Sequence, residues 1–518
     1  MKRGLLFLLL ASLAFGQPED TRRPGPLPDG GFLLPSGWTL HPAGRQIPLG
    51  TLPLAAALSP DGKFLAVMNA GYLEPSITVL DSKTLQVVSH FPVPDAWLGL
   101  AFSPDGRFLY AGGGADASVL EFAFSPEGKL EPKRRFPAVP DKERSEQDFI
   151  GDTALSPDGR LIFAASLFRN QVLVINPQTG WVIERFPAAR RPYRIVFHPD
   201  GKSFFLTSWA DGSLHHHDAA TGKEISVLRL GAQPMDMVFQ DQPEGSPFTG
   251  RLFVAVANTN RVSVIGVREN KNIQLLENVN LSLWPNQPLG MTPSALALGG
   301  SRLFVACSNY NTVAVADVSG ENSRVEGFLP TGWYPTAVRP LPDGRLVILN
   351  GRGGQSYPNP NGPNPLNLPV PLGRGITAEG YGAALQKGTA SVVEPLDTQQ
   401  LRQHTRAVFR NSPYSDRKLA EPPADEEPAT PIRHVLYIVK DGLTYDAVFG
   451  DLGSGKGNAQ LTVFGESATP NHRKLAREFV LFDNFHSSGD VTADGLHWSI
   501  AAIAPVGTAA GHELLPAE

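Results

Sequence analysis

The chain has 518 residues, 42% of them apolar, enough to pack the cores of two or more domains. A net charge of −5 removes the electrostatic case for a nucleic-acid partner, and a single cysteine, Cys307, excludes an intrachain disulfide. Cys307 ends an apolar run, so a buried small hydrophobe is expected there rather than a reactive thiol.

At the N-terminus, Lys2 and Arg3 precede an apolar run from Leu5 to Leu13, and Ala14-Phe15-Gly16 supplies small residues before a cleavage point near Gln17. That run is too short to span a bilayer. Residues 1–16 therefore read as a signal peptide, with export to a bacterial periplasm or beyond. No other segment is long and apolar enough to cross a membrane. The Pro/Gly-rich residues 17–36 are expected to be a flexible lead-in.

A four-residue turn then recurs. Ser59-Pro60-Asp61-Gly62 has near-copies at Ser103-Pro104-Asp105-Gly106, Ser156-Pro157-Asp158-Gly159, His198-Pro199-Asp200-Gly201 and Pro342-Asp343-Gly344, each between two short apolar runs. Pro presets φ, Asp caps its own backbone and Gly takes the left-handed position, so each copy predicts a hairpin. A period of roughly 42 to 53 residues, built only of short strands and turns, points to propeller blades. Inner strands are predicted near Leu54, Leu98, Thr153, Arg194, Asp236, Ser294 and Thr336. The fifth and sixth have lost the Asp-Gly turn. The second half of a blade is clearest in Asn170-Gln171-Val172-Leu173-Val174-Ile175-Asn176, and 251–265 and 303–318 repeat it. This pattern resembles the YVTN-type seven-bladed β-propellers, whose relatives include lactonase-like proteins. Trp38-Thr39-Leu40 is expected to close the ring, which removes exposed sheet edges.

Two long insertions interrupt the blades. The charged stretch 129–148 reads as a solvated surface loop, and the Gly/Pro/Asn-rich loop 351–375 as functional. The loop motifs around Asn350, Pro358 and Gly388 resemble a subgroup of these propellers fused to a phosphoesterase. In His215-His216-His217, strand alternation lets only His215 and His217 share a face. With no carboxylate at ligand spacing, a structural or surface role is expected.

Residues 401–431 are expected to be a linker, most clearly in the proline- and acid-rich stretch 421–428, which is too polar to form a core. Arg433-His434-Val435-Leu436-Tyr437-Ile438-Val439 then reads as a strand buried on both faces, ending at Lys440-Asp441-Gly442 with a helix opening at Thr444. Ligands sit at the carboxyl end of such a strand. Thr469-Pro470-Asn471 predicts a helix start, and Phe479 to Phe485 a second strand. The loop 450–457 imitates a phosphate-binding P-loop but has Gly457 where Ser or Thr is needed, so a plain loop is expected.

This order resembles the alkaline phosphatase superfamily. The resemblance implies Asp441 as a metal ligand and Thr492 as both nucleophile and metal ligand. Ser488 is a rival nucleophile, and Ser499 a helix residue. A divalent metal, Zn or alternatively Mn or Ca, would lower the pKa of the hydroxyl, and a second would stabilise oxyanion charge. The fused subgroup usually carries Glu-Asn where this chain has Asp441-Gly442. Most metal ligands of such a domain lie further downstream.

The expected fold is mainly β: a seven-bladed β-propeller over 37–400, followed by a partial α/β alkaline phosphatase-like domain over 432–518. The expected function is metal-dependent hydrolysis of phosphoric esters by an exported bifunctional protein. The alternative is a non-catalytic propeller that binds a small molecule or a protein in the cell envelope. Lactonase-type hydrolysis in the propeller channel is a third reading, for which the sequence shows no clustered acidic ligand set.

Overall fold

The computed structural model describes residues 23–72, 74–242, 246–269, 272–357, 382–419, 433–440, 442–483, 485–486 and 492–501. The predicted signal peptide, most of the loop 351–375 and Asp441 lie outside these residues.

Among the described residues stand seven antiparallel four-stranded sheets and one small three-stranded sheet. The first strands of the seven are Pro53–Leu58, Leu100–Phe102, Ile150–Leu155, Pro192–Phe197, Pro234–Asp241, Pro293–Gly299 and Pro335–Pro340. Each touches the first strand of the next sheet, and the seventh touches the first, so the sheets are arranged cyclically in a propeller-like fold. Second strands are the most buried, along their whole length in Phe64–Asn69 and Ser203–Ser208. Outer strands such as Val87–Pro92 show only intermediate and exposed positions.

The recurrent turn does two jobs. Its Ser hydroxyl donates to the Asp carboxylate two residues on, at 2.7 Å in Ser59–Asp61, 2.7 Å in Ser103–Asp105 and 2.6 Å in Ser156–Asp158. The same Asp oxygen accepts the backbone N–H of the residue after the Gly. The Gly takes φ near +70° in all three copies. It also docks neighbouring sheets. A Cβ on Gly159 would lie 2.9 Å from Pro104 of the preceding turn, and one on Gly62 would lie 2.7 Å from Pro342. The glycines of four copies thus sit against the proline of the neighbouring copy, while Gly344 faces Pro395.

Ring closure differs from expectation. Arg45–Thr51, not Trp38-Thr39-Leu40, pairs with Lys387–Val393 as the fourth strand of the seventh sheet. Thr39–Leu40 instead pairs with Phe32–Leu33. The physical reason is Trp38, whose ring meets Tyr310 edge-on at 5.0 Å in an apolar cluster with Leu34 and Leu40. Gly44 then turns the chain onto the seventh sheet at φ +72°, where a Cβ would overlap the carbonyl of Val392. The later part of the lead-in is accordingly packed: Leu33 and Leu34 are buried, while residues 23–30 are exposed or intermediate.

Two other segments also depart from expectation. Leu130–Pro137, in the expected surface loop, is the outer strand of the second sheet, held where Arg134 pairs with buried Glu121 at 2.6 Å. Thr398–Asn411, at the start of the expected linker, is a helix opened by a capping box between Asp397 and Gln400. Leu401 and Val408, seven residues apart on one face, are buried in the ring's apolar clusters, and the Thr405 hydroxyl accepts the N–H of Phe328 at 2.9 Å.

The predicted strands 433–439 and 479–485 are not strands where described. Leu436 is 86% exposed and Val480 78%. A strand needs a hydrogen-bonding neighbour, and no sheet lies among the described residues of this region, so these apolar runs have nothing to pair with. The expected α/β layer is therefore absent from the described residues. What forms is a small helical unit comprising Tyr445–Phe449, Pro470–Glu478 and Thr492–Ala501, together with the short turn Ala459–Leu461. Its first two helices are stapled by Arg473, which is 2% exposed and bonds the carbonyls of Val448 and Phe464 and the Asp451 carboxylate.

Candidate functional site

The first strands leave a space on the ring's axis, lined by residues that include Leu54, Leu98, Tyr193, Arg194, Asp236, Ser294, Thr336 and Arg339. Each polar member stands near the start of an otherwise apolar strand, or, for Arg339, near its end. Backbone pairing places these side chains at the hub, where all the sheets converge.

Two arginines dominate the electrostatics. Arg194 reaches Asp152 through Nη1 at 2.9 Å and Asp236 through Nε at 2.9 Å, bridging the third, fourth and fifth sheets. Burial opposes its charge, and the two carboxylates outweigh that, holding its pKa up. Asp152 also accepts the N–H of Ile195, and Asp236 that of Leu296. Both carboxylates are thus committed to the scaffold. Arg339 is different. Its guanidinium donates only to backbone carbonyls, those of Ala56, Val338 and Leu296, and among the described residues it has no ion-pair partner. Burial pushes its pKa down, the Asp236 carboxylate works against that, and Arg194 adds repulsion. The site therefore holds a partly buried cation whose nearby carboxylate, Asp236, is already paired with Arg194.

A metal-binding role for the axis fails on these observations. A divalent ion needs free carboxylates or imidazoles, and Asp152 and Asp236 are already neutralised by Arg194.

A second cluster lies on the fourth sheet. The hairpin joining Ser213–Asp218 to Glu224–Arg229 places Glu224 directly across from His217. His215, His217 and Glu224 then bring one potential ligand atom each within 4.8 Å of one another, a possible metal site. This corrects the expectation that no carboxylate accompanies the histidines: the carboxylate arrives from the next strand. The alternation is as read from sequence, with His216 on the opposite face, stacked on Phe205 and bonded to Ser203.

The residues proposed from the C-terminal motifs fall only partly among the described residues. Thr492 is the first residue of the helix Thr492–Ala501. Asp441 and Ser488 lie outside the described residues. Ser499 is a helix residue whose hydroxyl donates to the Gly495 carbonyl at 2.7 Å. Thr469 precedes the helix Pro470–Glu478 as expected, but its hydroxyl donates to the Phe464 carbonyl rather than capping an N–H. The P-loop-like stretch folds on itself, with Gly457 against Gly450. Cys307 is buried, and burial pushes its thiol up to about 12.

Sequence reasoning named Thr153, Arg194, Asp236, Ser294 and Thr336 only as strand starts. The signal for a site was the recurring polar residue at the head of an apolar strand. Arg339 and Asp152 carried no such signal.

Residues 75–210, well under half of the chain, match the family described as SMP-30/Gluconolactonase/LRE-like region. No curated protein matches the chain. Among solved structures it is similar to the hydrazine synthase of Kuenenia stuttgartiensis, at 19% identity and TM-score 0.48, over 58% of this chain and 93% of the other. It is also similar to a periplasmic gluconolactonase of Pseudomonas aeruginosa, at 19% identity and TM-score 0.45, over 54% and 86%. A putative 6-phosphogluconolactonase of Bacteroides fragilis gives 18% identity and TM-score 0.44, over 55% and 86%.

Proposed function

We propose that the seven sheets are the blades of a seven-bladed β-propeller that serves an exported protein as a binding module, and that its axial space takes a small anion. The observation that carries this is Arg339: a partly buried guanidinium whose hydrogen bonds go to carbonyls, and whose nearby carboxylate is already paired with Arg194, is stabilised by any anion that reaches it. Ser294 and Thr336 line the same space, but their hydroxyls are turned to scaffold oxygens, so recognition of the anion rests on Arg339. The matched family suggests sugar-acid or lactone ligands. Hydrolysis of the lactone ester at the axis is disfavoured, because it needs a base or a metal and both axial carboxylates are held by Arg194. The test is calorimetric titration of the full chain with gluconate and with inorganic phosphate. Binding of either that is lost in Arg339→Met, with unchanged circular dichroism, supports the reading. Equal binding by the variant overturns it, as does binding of neither probe.

A second reading concerns residues 432–518: hydrolysis of phosphoric esters with Asp441 as metal ligand and Thr492 as nucleophile and ligand, using Zn, Mn or Ca. The order of helices favours it, with one following Thr469 and another opening at Thr492. Turnover of a nitrophenyl phosphate by the full chain, abolished in Thr492→Ala, supports it. No turnover with any of the three metals leaves the binding module alone.

A further inference from the structure

We propose that His215, His217 and Glu224 bind a divalent metal ion of the zinc class on the outer hairpin of the fourth sheet, apart from the axial space. Three independent features of the hairpin converge there.

The first is the donor set. Two imidazoles and one carboxylate, with ligand atoms within 4.8 Å of one another, suit Zn, Cu or Ni and not the all-oxygen shells of Mg or Ca. The two imidazole rings lie on one face of the strand, nearly parallel at 23° with centroids 6.0 Å apart.

The second is His217. It is 4% exposed, and its Nδ1 donates to the carbonyl of Gly222 at 3.0 Å, which fixes the tautomer. Nε2 is then the nitrogen with a free lone pair, and it is buried with no hydrogen-bond partner. Unpaired buried nitrogens are rare, and one beside a second imidazole and a carboxylate suits a ligand. A backbone carbonyl behind a ligating imidazole is the usual arrangement around bound metal.

The third is the pair His215–Glu224. Nδ1 of His215 stands 2.7 Å from Oε2 of Glu224, while its Nε2 bonds the Ser213 hydroxyl at 2.8 Å. A metal would take the place between Nδ1 and Oε2, with Ser213 holding the ring from behind. Two donors on a tetrahedral ion with bonds of about 2.0–2.1 Å stand about 3.3 Å apart, so the pair must open slightly. Glu224 can give way, since its side chain is 47% exposed. That exposure also opens the fourth position to water.

The experiment uses the full chain, stripped of metal and titrated with Zn2+ by calorimetry and with Co2+ by visible absorption. The expected result is a site with the intense ligand-field band of four-coordinate cobalt and a raised melting temperature, insensitive to excess Mg2+ or Ca2+. Glu224→Gln and His217→Gln should each remove one equivalent of bound Co2+ or weaken it by at least tenfold. Glu224 is half-exposed, so its variant reads binding on a folded chain even if His217→Gln does not fold. The proposal is overturned if Glu224→Gln binds Co2+ as tightly and with the same spectrum as the parent, or if the parent binds none.

Discussion

The ring and the C-terminal segment contain the same kind of apolar run and treat it oppositely. Leu65 and Val67 have no exposed surface, whereas Leu436 and Ile438, in a run of equal apolarity, are 86% and 69% exposed. The difference lies in neighbours rather than in residues. In the ring each sheet is covered on both faces by the next, and closure by Arg45–Thr51 leaves no gap in the cycle. Among the described residues of the tail no strand stands beside 433–439 to supply hydrogen bonds or cover. Hydrophobicity selects what is to be buried, and only topology decides whether it is.

Each region also has an arginine that ties separate segments together, and here the comparison can be broken most sharply. Arg194→Leu would leave Asp152 and Asp236 buried without a counter-charge, an expected loss of about 3–5 kcal/mol. Arg473→Leu would strand two carbonyls and a largely exposed carboxylate, a loss of about 1–3 kcal/mol confined to the tail. Six of the seven tryptophans, all but Trp498, lie in the ring, so fluorescence in urea follows the ring. A midpoint shift for Arg194→Leu and none for Arg473→Leu is expected. Equal shifts would mean that the two regions unfold as one.

A smaller contrast rests on glycine. Gly159 and Gly453 both have positive φ, +70° and +80°, so alanine costs about 1–2 kcal/mol of backbone strain at either. A Cβ at Gly159 would also press on Pro104 at 2.9 Å, while one at Gly453 would meet nothing within 4 Å. Gly159→Ala should therefore lower the melting temperature of the ring by several degrees more than Gly453→Ala lowers that of the tail. Equal losses would show that the proline contact yields freely and that the turn does not dock the sheets.

What was legible in the sequence follows the same division. The hairpin turns could be read because Pro, Asp and Gly act locally, and the predicted inner strands near Leu54, Arg194 and Thr336 fall within Pro53–Leu58, Pro192–Phe197 and Pro335–Pro340. The closing strand was not legible, since Arg45–Thr51 pairs with residues more than 300 positions away and no local pattern distinguishes it from Thr39–Leu40. The capping box Asp397/Gln400 was present but was overshadowed by the proline-rich stretch that follows. Glu224 was missed because ligand spacing was sought along one strand, whereas a hairpin supplies ligands across two. In the tail, apolar runs gave a correct reading of hydrophobicity and a wrong one of pairing, because the partners a strand requires are not written in the strand itself.

The smallest expected effect tests the turn by pH. Asp105 is held down to about 2, first by the hydrogen bond from the Ser103 hydroxyl and then by the N–H of Arg107. A carboxylate with a depressed folded pKa adds stability that is fully present above its unfolded value, near 4, and is lost as pH falls through about 2. The Asp105 side chain is 45% exposed, so solvent screens much of this gain. Ser103→Ala should cost about 0.5–1 kcal/mol near neutrality, part of it from the lost acceptor for the N–H of Phe108. Only the part that passes through Asp105 depends on pH. The gap in melting temperature between parent and Ser103→Ala should therefore narrow between pH 5 and pH 2 without vanishing. A gap constant over that range would mean that the hydroxyl serves the hairpin through Phe108 alone, and that the aspartate in the repeat is retained for its backbone bond.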